Sequence, residues 1–157
     1  MQRIMQIAVG LVLVAPMAMA EVTPETITYS EYGEVAESLT GVAGNPENGR
    51  AVMAARPKGN CIACHAVSAM SDELFHGEIG PSLDGVGDRW TAEQLRGIVA
   101  NAKNTFPDTV MPAFFKSSGY IRPGDAFTGK AGTEPLPPLL TAQEVEDVVA
   151  YLLTIKD

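Results

Sequence analysis

Apolar residues recur with the spacing of one helix face near the end of the chain. Positions i, i+3, i+4, i+7 and i+8 of one segment are occupied by Val145, Val148, Val149, Leu152 and Leu153. The residues before them, 141–144, read Thr-Ala-Gln-Glu. This is a capping box, in which the threonine and glutamate side chains bond to free backbone N–H groups at a helix start. The pattern predicts a C-terminal helix with one apolar face.

Two further segments carry helix-start signals. Residues 91–94 read Thr-Ala-Glu-Gln, a second capping box, and precede an apolar face made of Leu95, Ile98 and Val99. Asn45 and Pro46 are the expected N-cap and first residue of an earlier helix that stops near Pro57. No convincing pair of strands is visible in the sequence, so the predicted fold class is all-α.

The first twenty residues have the pattern of a secretory signal peptide. Arg3 supplies a positive charge, an apolar run follows, and the segment ends in Ala-Met-Ala at residues 18–20. The apolar run is too short to serve as a stable membrane anchor. We therefore expect cleavage after Ala20, export to the periplasm, an N-terminal extension over 21–44 and one domain over 45–157.

The composition raises a question about the core. The 157 residues carry a formal net charge of -8, which argues against binding to a nucleic-acid backbone. Aromatic residues make up only 6% of the chain, whereas glycine and proline are frequent in loops over 76–88 and 112–138. A small domain with so few large side chains needs another apolar group at its centre.

The two cysteines stand in a sequence that supplies such a group. Residues 61–65 read Cys-Ile-Ala-Cys-His, which is the C-x-x-C-H pattern of covalent haem attachment. The spacing lets both thiols form thioethers with the haem vinyl groups, and the next residue brings an imidazole to the iron. We therefore predict one haem c bound through Cys61 and Cys64, with His65 as an axial iron ligand.

Two other interpretations of the cysteine pair are less favourable. A thioredoxin-like redox pair would need strands around the motif. A structural zinc site would need further ligands, and the only remaining cysteine or histidine is His76. The export signal and the absence of other cysteines also favour haem.

The second axial ligand is chosen by elimination. Met53 lies on a predicted helix and is expected to pack in a helix interface, while Met70 is too near the motif in sequence to reach the opposite haem face. Met111 stands far enough along the chain, and the proline after it favours an extended loop. We predict Met111 as the ligand, with His76 as the alternative that would give a bis-histidine site.

An early helix, C-x-x-C-H, a distal Met-Pro and a C-terminal helix follow in the order typical of class I cytochromes c, which this chain resembles. The resemblance implies a small helical domain wrapped around one haem, here with loop insertions. It also implies that the carbonyl of Pro81, in a matching Gly80-Pro81 pair, accepts the Nδ1–H of His65. For Arg89 and Trp90 two interpretations stay open: bonds to haem propionates, or a solvated arginine and a core tryptophan.

The segments around these motifs carry a narrower resemblance. Residues 39–41, 45–50, 59–65, 80–83, 110–114 and 140–152 are similar to the SoxX family of sulfur-oxidation cytochromes. This implies a periplasmic heterodimer with a SoxA-like haem subunit, which oxidatively couples thiosulfate to a cysteine of a SoxY-like carrier protein. In such an L-cysteine S-thiosulfotransferase this chain would accept electrons and pass them, one at a time, to a downstream acceptor.

The resemblance also implies that this chain contributes no catalytic residue. Both cysteines are used for thioethers, and Met111 leaves the iron without an open position. Bond-making is thus expected on the partner, with 21–44 and 113–138 adding contact area. The alternative function is that of a free periplasmic class I cytochrome c electron carrier. An enzyme with an open iron site, such as a peroxidase, is disfavoured by Met111.

Overall fold

The computed structural model describes residues 21–124 and 128–157. The predicted signal peptide, residues 1–20, lies outside the described residues. Within the described ranges, no helix combines the length and the apolar character needed to cross a membrane.

Four α-helices and three short 3₁₀ turns form the described domain. The helices are α1 (Pro46–Ala54), α2 (Val86–Arg89), α3 (Ala92–Asn101) and α4 (Ala142–Leu152). The 3₁₀ turns cover Cys61–Ala63, Ser68–Met70 and Ala102–Asn104. Within the described ranges the chain forms no strand, only an isolated bridge between Gly124 and Ala131. The predicted all-α class is confirmed.

Helices α1, α3 and α4 begin where their capping residues predicted, whereas the short α2 was not predicted, because it starts inside the expected loop 76–88 without a side-chain cap. Thr91 and Thr141 form complete capping boxes at α3 and α4, and the Asn45 side chain accepts a hydrogen bond from the Asn48 N–H at α1. Helix α1 ends at Ala54, slightly before the proline expected to stop it at Pro57. Caps act on N–H groups within one turn, so they fix helix starts without help from the rest of the fold.

Helices α1 and α4 cross closely. A Cβ atom at Gly49 would overlap the backbone carbonyl of Asp147, so this approach needs a glycine. The Asp147 carboxylate is buried and accepts hydrogen bonds from the Asn45 N–H at 2.8 Å and from the Gln143 side chain at 3.0 Å. The crossing is therefore held by backbone contact and by a polar contact at the start of α1.

Within the described ranges, no aromatic residue is among the most deeply buried large side chains of the core. These are Leu39, Met53, Val67, Met70, Leu140, Val145 and Val148. Met53 and Met70 are both 0% exposed, which is the packing role expected of Met53. Neither methionine is a loop residue free to bind a ligand.

The predicted N-terminal extension packs onto this core. Val35 and Leu39 are buried, and both are tied to a buried ion pair between α3 and α4. In that pair Arg96 donates to Glu146 at 2.8 Å and to the Val35 carbonyl at 2.8 Å, while Glu146 accepts the Leu39 N–H at 2.7 Å. Residues 21–44 thus contribute to the fold as well as to its surface.

Candidate haem-binding site

The C-x-x-C-H motif forms one tight turn. Asn60 takes a left-handed conformation with φ of 46°, after which Cys61–Ala63 turn as a 3₁₀ helix. The N–H groups of Cys64 and His65 both donate to the Cys61 carbonyl, at 3.1 and 3.0 Å. Ile62 faces the core and is 6% exposed. Its burial anchors the turn and leaves both cysteines partly accessible.

The two thiols are not bonded to each other. Burial raises the pKa of the Cys61 thiol to about 12, so the free thiol is neutral at physiological pH. A zinc site needs more ligands, and within the described ranges no three cysteine, histidine or carboxylate side chains are placed to hold a metal ion together. A thioredoxin-like redox pair needs flanking strands, and the described ranges form none. The donor set therefore suits covalent attachment through thioethers better than a redox pair or a zinc site.

The imidazole of His65 is oriented by the loop that follows the motif. Its Nδ1 lies 2.7 Å from the Pro81 carbonyl oxygen, which as an acceptor places the ring proton on Nδ1 and leaves Nε2 for a metal. A Cβ atom at Gly80 would overlap this ring, so the glycine makes room for it. The Gly80 N–H also donates to the Cys64 carbonyl at 2.8 Å. The residues present thus fit a haem iron on the free ring nitrogen.

The side chain of Arg89 also bonds to the loop that carries Pro81. Its guanidinium donates to the Asp84 and Ser82 carbonyls. The Asp84 carboxylate accepts the backbone N–H of Ser68 at 2.8 Å and its hydroxyl at 2.7 Å, and these bonds lower the pKa of Asp84. The structure shows Arg89 bonded to this loop, a role that neither of its two interpretations included.

Trp90 packs against the core and meets Phe106 edge to face, with ring centroids 6.2 Å apart. This contact supports the interpretation of Trp90 as a core tryptophan.

Met111 lies on the long loop after the Ala102–Asn104 turn. It is partly buried and packs against the core cluster, whereas its neighbour Val110 is 81% exposed. The Met111 N–H donates to the Thr109 hydroxyl at 3.2 Å, and its carbonyl accepts the Lys103 ammonium at 2.8 Å. Among the methionines of the described ranges, Met111 is the one outside the deep core.

His76, the alternative ligand, lies on a segment that is hydrogen-bonded to the motif turn and to the residues after it. Its Nδ1 accepts the Val67 N–H at 3.1 Å, and the next residue, Gly77, donates to the Ile62 carbonyl at 2.8 Å. Its Nε2 is buried and has no hydrogen-bond partner among the described residues. These two bonds tie His76 to the residues of the motif turn and to those directly after it, which favours Met111 as the second ligand.

The contacts of Lys103 with this site were not expected, and those of Arg89 with loop carbonyls were not expected either. Each donates to backbone carbonyls of a loop that carries a predicted haem residue. Bonds to carbonyls leave no trace in the residue types of the loop, so the sequence offered no signal for them.

The cytochrome c family model matches residues 46–156. The chain belongs to the cytochrome c family. It carries a covalently attached haem c and functions in electron transfer, as the motif predicted.

Two known proteins refine this assignment. A chain in the crystal structure of SoxXA from P. pantotrophus is 57% identical, with a TM-score of 0.85 over 88% of this chain and 100% of that chain. Cytochrome c-550 of Bacillus subtilis (strain 168) is 38% identical over 56 residues. That match covers 36% of this chain and 42% of the relative, so the chain spans less than half of the relative's length. The predicted class I fold and the resemblance to the SoxX family are confirmed.

Proposed function

We propose that this chain is the electron-accepting haem c subunit of a SoxAX-type L-cysteine S-thiosulfotransferase. The observation that carries the proposal is the 57% identity over the whole of a SoxXA chain. This match covers 88% of the chain, whereas the family model matches only residues 46–156. The similarity therefore includes sequence that is not common to cytochromes c in general.

Four residues are proposed to hold the haem. Cys61 and Cys64 would form the thioethers, and His65 and Met111 would bind the iron. A bound haem c supplies one-electron redox chemistry at its iron. Pro81 keeps the His65 ring in one orientation through the Nδ1–H bond at 2.7 Å, and this bond increases the basicity of the other ring nitrogen. The Met111 thioether favours ferrous iron and thus a comparatively high potential.

The bond-making chemistry is proposed to occur on a SoxA-like partner. Coupling thiosulfate to a thiol of a SoxY-like carrier releases two electrons, whereas one haem iron accepts one. A second redox centre on the partner, or two successive transfers, is thus required. No thiol remains on this chain once Cys61 and Cys64 are bound, so we assign it no catalytic residue.

The proposal includes the location of the chain and its organisation. Residues 1–20 are a signal peptide cleaved after Ala20, 21–44 are an N-terminal extension, and 45–157 are the cytochrome c domain. The mature protein acts in the periplasm without a membrane anchor and passes electrons to a downstream acceptor. The alternative is a free periplasmic class I cytochrome c electron carrier, with which the match to the general cytochrome c family model also agrees.

The test is reduction of the haem by thiosulfate with and without the partner. The mature chain, a SoxA-like subunit and a SoxY-like carrier are mixed with thiosulfate, and haem reduction is followed by visible absorbance. Reduction that requires the SoxA-like subunit supports the proposal. Reduction at the full rate without that subunit would show that the division of roles is wrong, and no reduction with it would favour the free carrier.

A further inference from the structure

The loop that carries Met111 has few backbone attachments of its own. It leaves the domain after Phe106, whose N–H donates to the Ala102 carbonyl at 2.8 Å, and returns at Phe115, whose N–H donates to the Ala100 carbonyl at 3.0 Å. Within the described ranges, no backbone–backbone hydrogen bond ties residues 110–113 to the rest of the domain. The position of Met111 therefore depends on side-chain contacts.

One cation supplies such contacts. The Lys103 ammonium donates to the Thr109 carbonyl at 3.2 Å and to the Met111 carbonyl at 2.8 Å. Lys103 stands in the 3₁₀ turn Ala102–Asn104, which directly follows α3, so its backbone is fixed by the helix. An ammonium has three donors, and two of them join this turn to the loop.

We infer that Lys103 is a positioning residue for Met111: its ammonium holds the loop that carries the methionine and adds positive charge beside it. The inference rests on the proposed function, in which Met111 is an iron ligand. Holding the Met111 carbonyl keeps the thioether in place against competing ligands. The positive charge opposes oxidation of the iron, so both effects raise the reduction potential.

The main test variant is Lys103→Met, which keeps the apolar stem and removes the donors and the charge. The matched control is Lys156→Met, because Lys156 is exposed and its ion pair is with Asp88 at 3.7 Å. Each of the two variants loses one positive charge. The haem-loaded proteins are compared by imidazole titration of the ferric form, by reduction potential, and by the sulfur-to-iron band in the near infrared.

Lys103→Met is expected to bind imidazole about three- to tenfold more tightly than the wild type. Without the charged hydrogen bond to the Met111 carbonyl, the Met111 thioether is held less firmly and competes less well with imidazole for the iron. Its potential is lower than that of Lys156→Met, and its near-infrared band is weaker. Lys103→Arg keeps the charge and several donors and is expected to restore most of the wild-type affinity. Amide hydrogen exchange of residues 109–113 is faster in Lys103→Met and unchanged in the control.

The outcomes separate this inference from the ligand assignment. If Met111→Ala removes the near-infrared band while Lys103→Met and Lys156→Met have equal potentials and imidazole affinities, only the role of Lys103 is refuted. If Met111→Ala leaves the spectrum unchanged, the ligand assignment and the role of Lys103 are both wrong. Far-ultraviolet circular dichroism establishes that each variant is folded.

Discussion

The orientation of the His65 imidazole depends on two adjacent residues, Gly80 and Pro81, which have different roles. Pro81 accepts the Nδ1–H of His65 through its backbone carbonyl, whereas Gly80 contributes by having no side chain. The carbonyl selects the tautomer, and the missing Cβ permits the ring to lie against the backbone. A change at either position should therefore affect the ring by a distinct route.

Gly80→Ala is expected to lower the stability of the haem-loaded protein by about 1–3 kcal/mol, because the added methyl group overlaps the His65 ring. Displacement of the ring also shifts the visible and near-infrared absorption. Guanidinium unfolding and absorbance at neutral pH measure the two effects.

The matched control is Gly119→Ala, where φ is 72° and the Cβ atom makes an ordinary contact with Lys116. It should cost about 1–2 kcal/mol for the left-handed backbone and leave the spectrum unchanged. Equal spectra for the two variants would contradict the role of Gly80.

The sequence predicts the candidate site best where its residues are consecutive. Cys61, Cys64 and His65 belong to one five-residue pattern, and that pattern already specifies their chemistry. Met111 required elimination among several methionines, and the burial of Met53 and Met70 agrees with that elimination. The contact of Lys103 with the Met111 carbonyl was not predictable, because any residue in the loop would offer the same carbonyl.

The starts of α1, α3 and α4 were predicted, since the caps at Asn45, Thr91 and Thr141 are local, whereas α2 has no side-chain cap and was missed. The burial of Arg96 within α3 was not predicted, because its partner Glu146 stands on another helix and is distant in sequence. For the same reason the burial of Val35 and Leu39, within the segment 21–44, was not predicted from the sequence. Long-range polar contacts of this kind appear only once the chain is folded.

Asp147 offers a test of the α1–α4 crossing through pH. Burial opposes ionisation of this carboxyl, but hydrogen bonds from Asn45, Gln143 and Asn48 outweigh burial and lower its pKa. A carboxyl with a lowered folded pKa stabilises the fold above its ordinary pKa of about 4, and this contribution is lost as pH falls through the lowered value.

Asp147→Asn is expected to reduce the free energy of unfolding by about 1–3 kcal/mol at pH 7, because the charge-assisted hydrogen bonds become neutral or are lost. The difference from wild type shrinks as the pH falls from about 4 through the lowered pKa of Asp147, below which the folded wild-type carboxyl is neutral as well. Guanidinium unfolding at several pH values measures this difference in the free energy of unfolding. Asp108→Asn, at an exposed site, should differ little from wild type throughout. A deficit in Asp147→Asn that stays constant down to pH 2 would show that the charge of Asp147 does not stabilise the crossing.

At the scale of the whole molecule, a net charge of -8 coexists with large apolar side chains on the surface. Tyr32 is 72% exposed, Val110 is 81% exposed and Ile121 is 98% exposed. These residues lie in or beside the segments expected to add contact area, 21–44 and 113–138. Because Val35 and Leu39 are also core residues, deleting the N-terminal segment would disturb the fold together with any interface. Single substitutions at exposed positions are the cleaner test.

Ile121→Asp is expected to weaken binding of the SoxA-like subunit by about tenfold or more, because a charge replaces an apolar group that the contact would bury. The stability and the haem spectrum should stay unchanged, since the Ile121 side chain makes no contribution to the core at 98% exposure. Ala51→Asp, at an exposed position of α1, adds the same charge outside both segments and should bind like wild type. Surface plasmon resonance with the immobilised partner gives the dissociation constants. Equal constants for the two variants would place the contact elsewhere on the domain, since an apolar interface that includes Ile121 cannot accept a buried, unpaired carboxylate without loss of affinity.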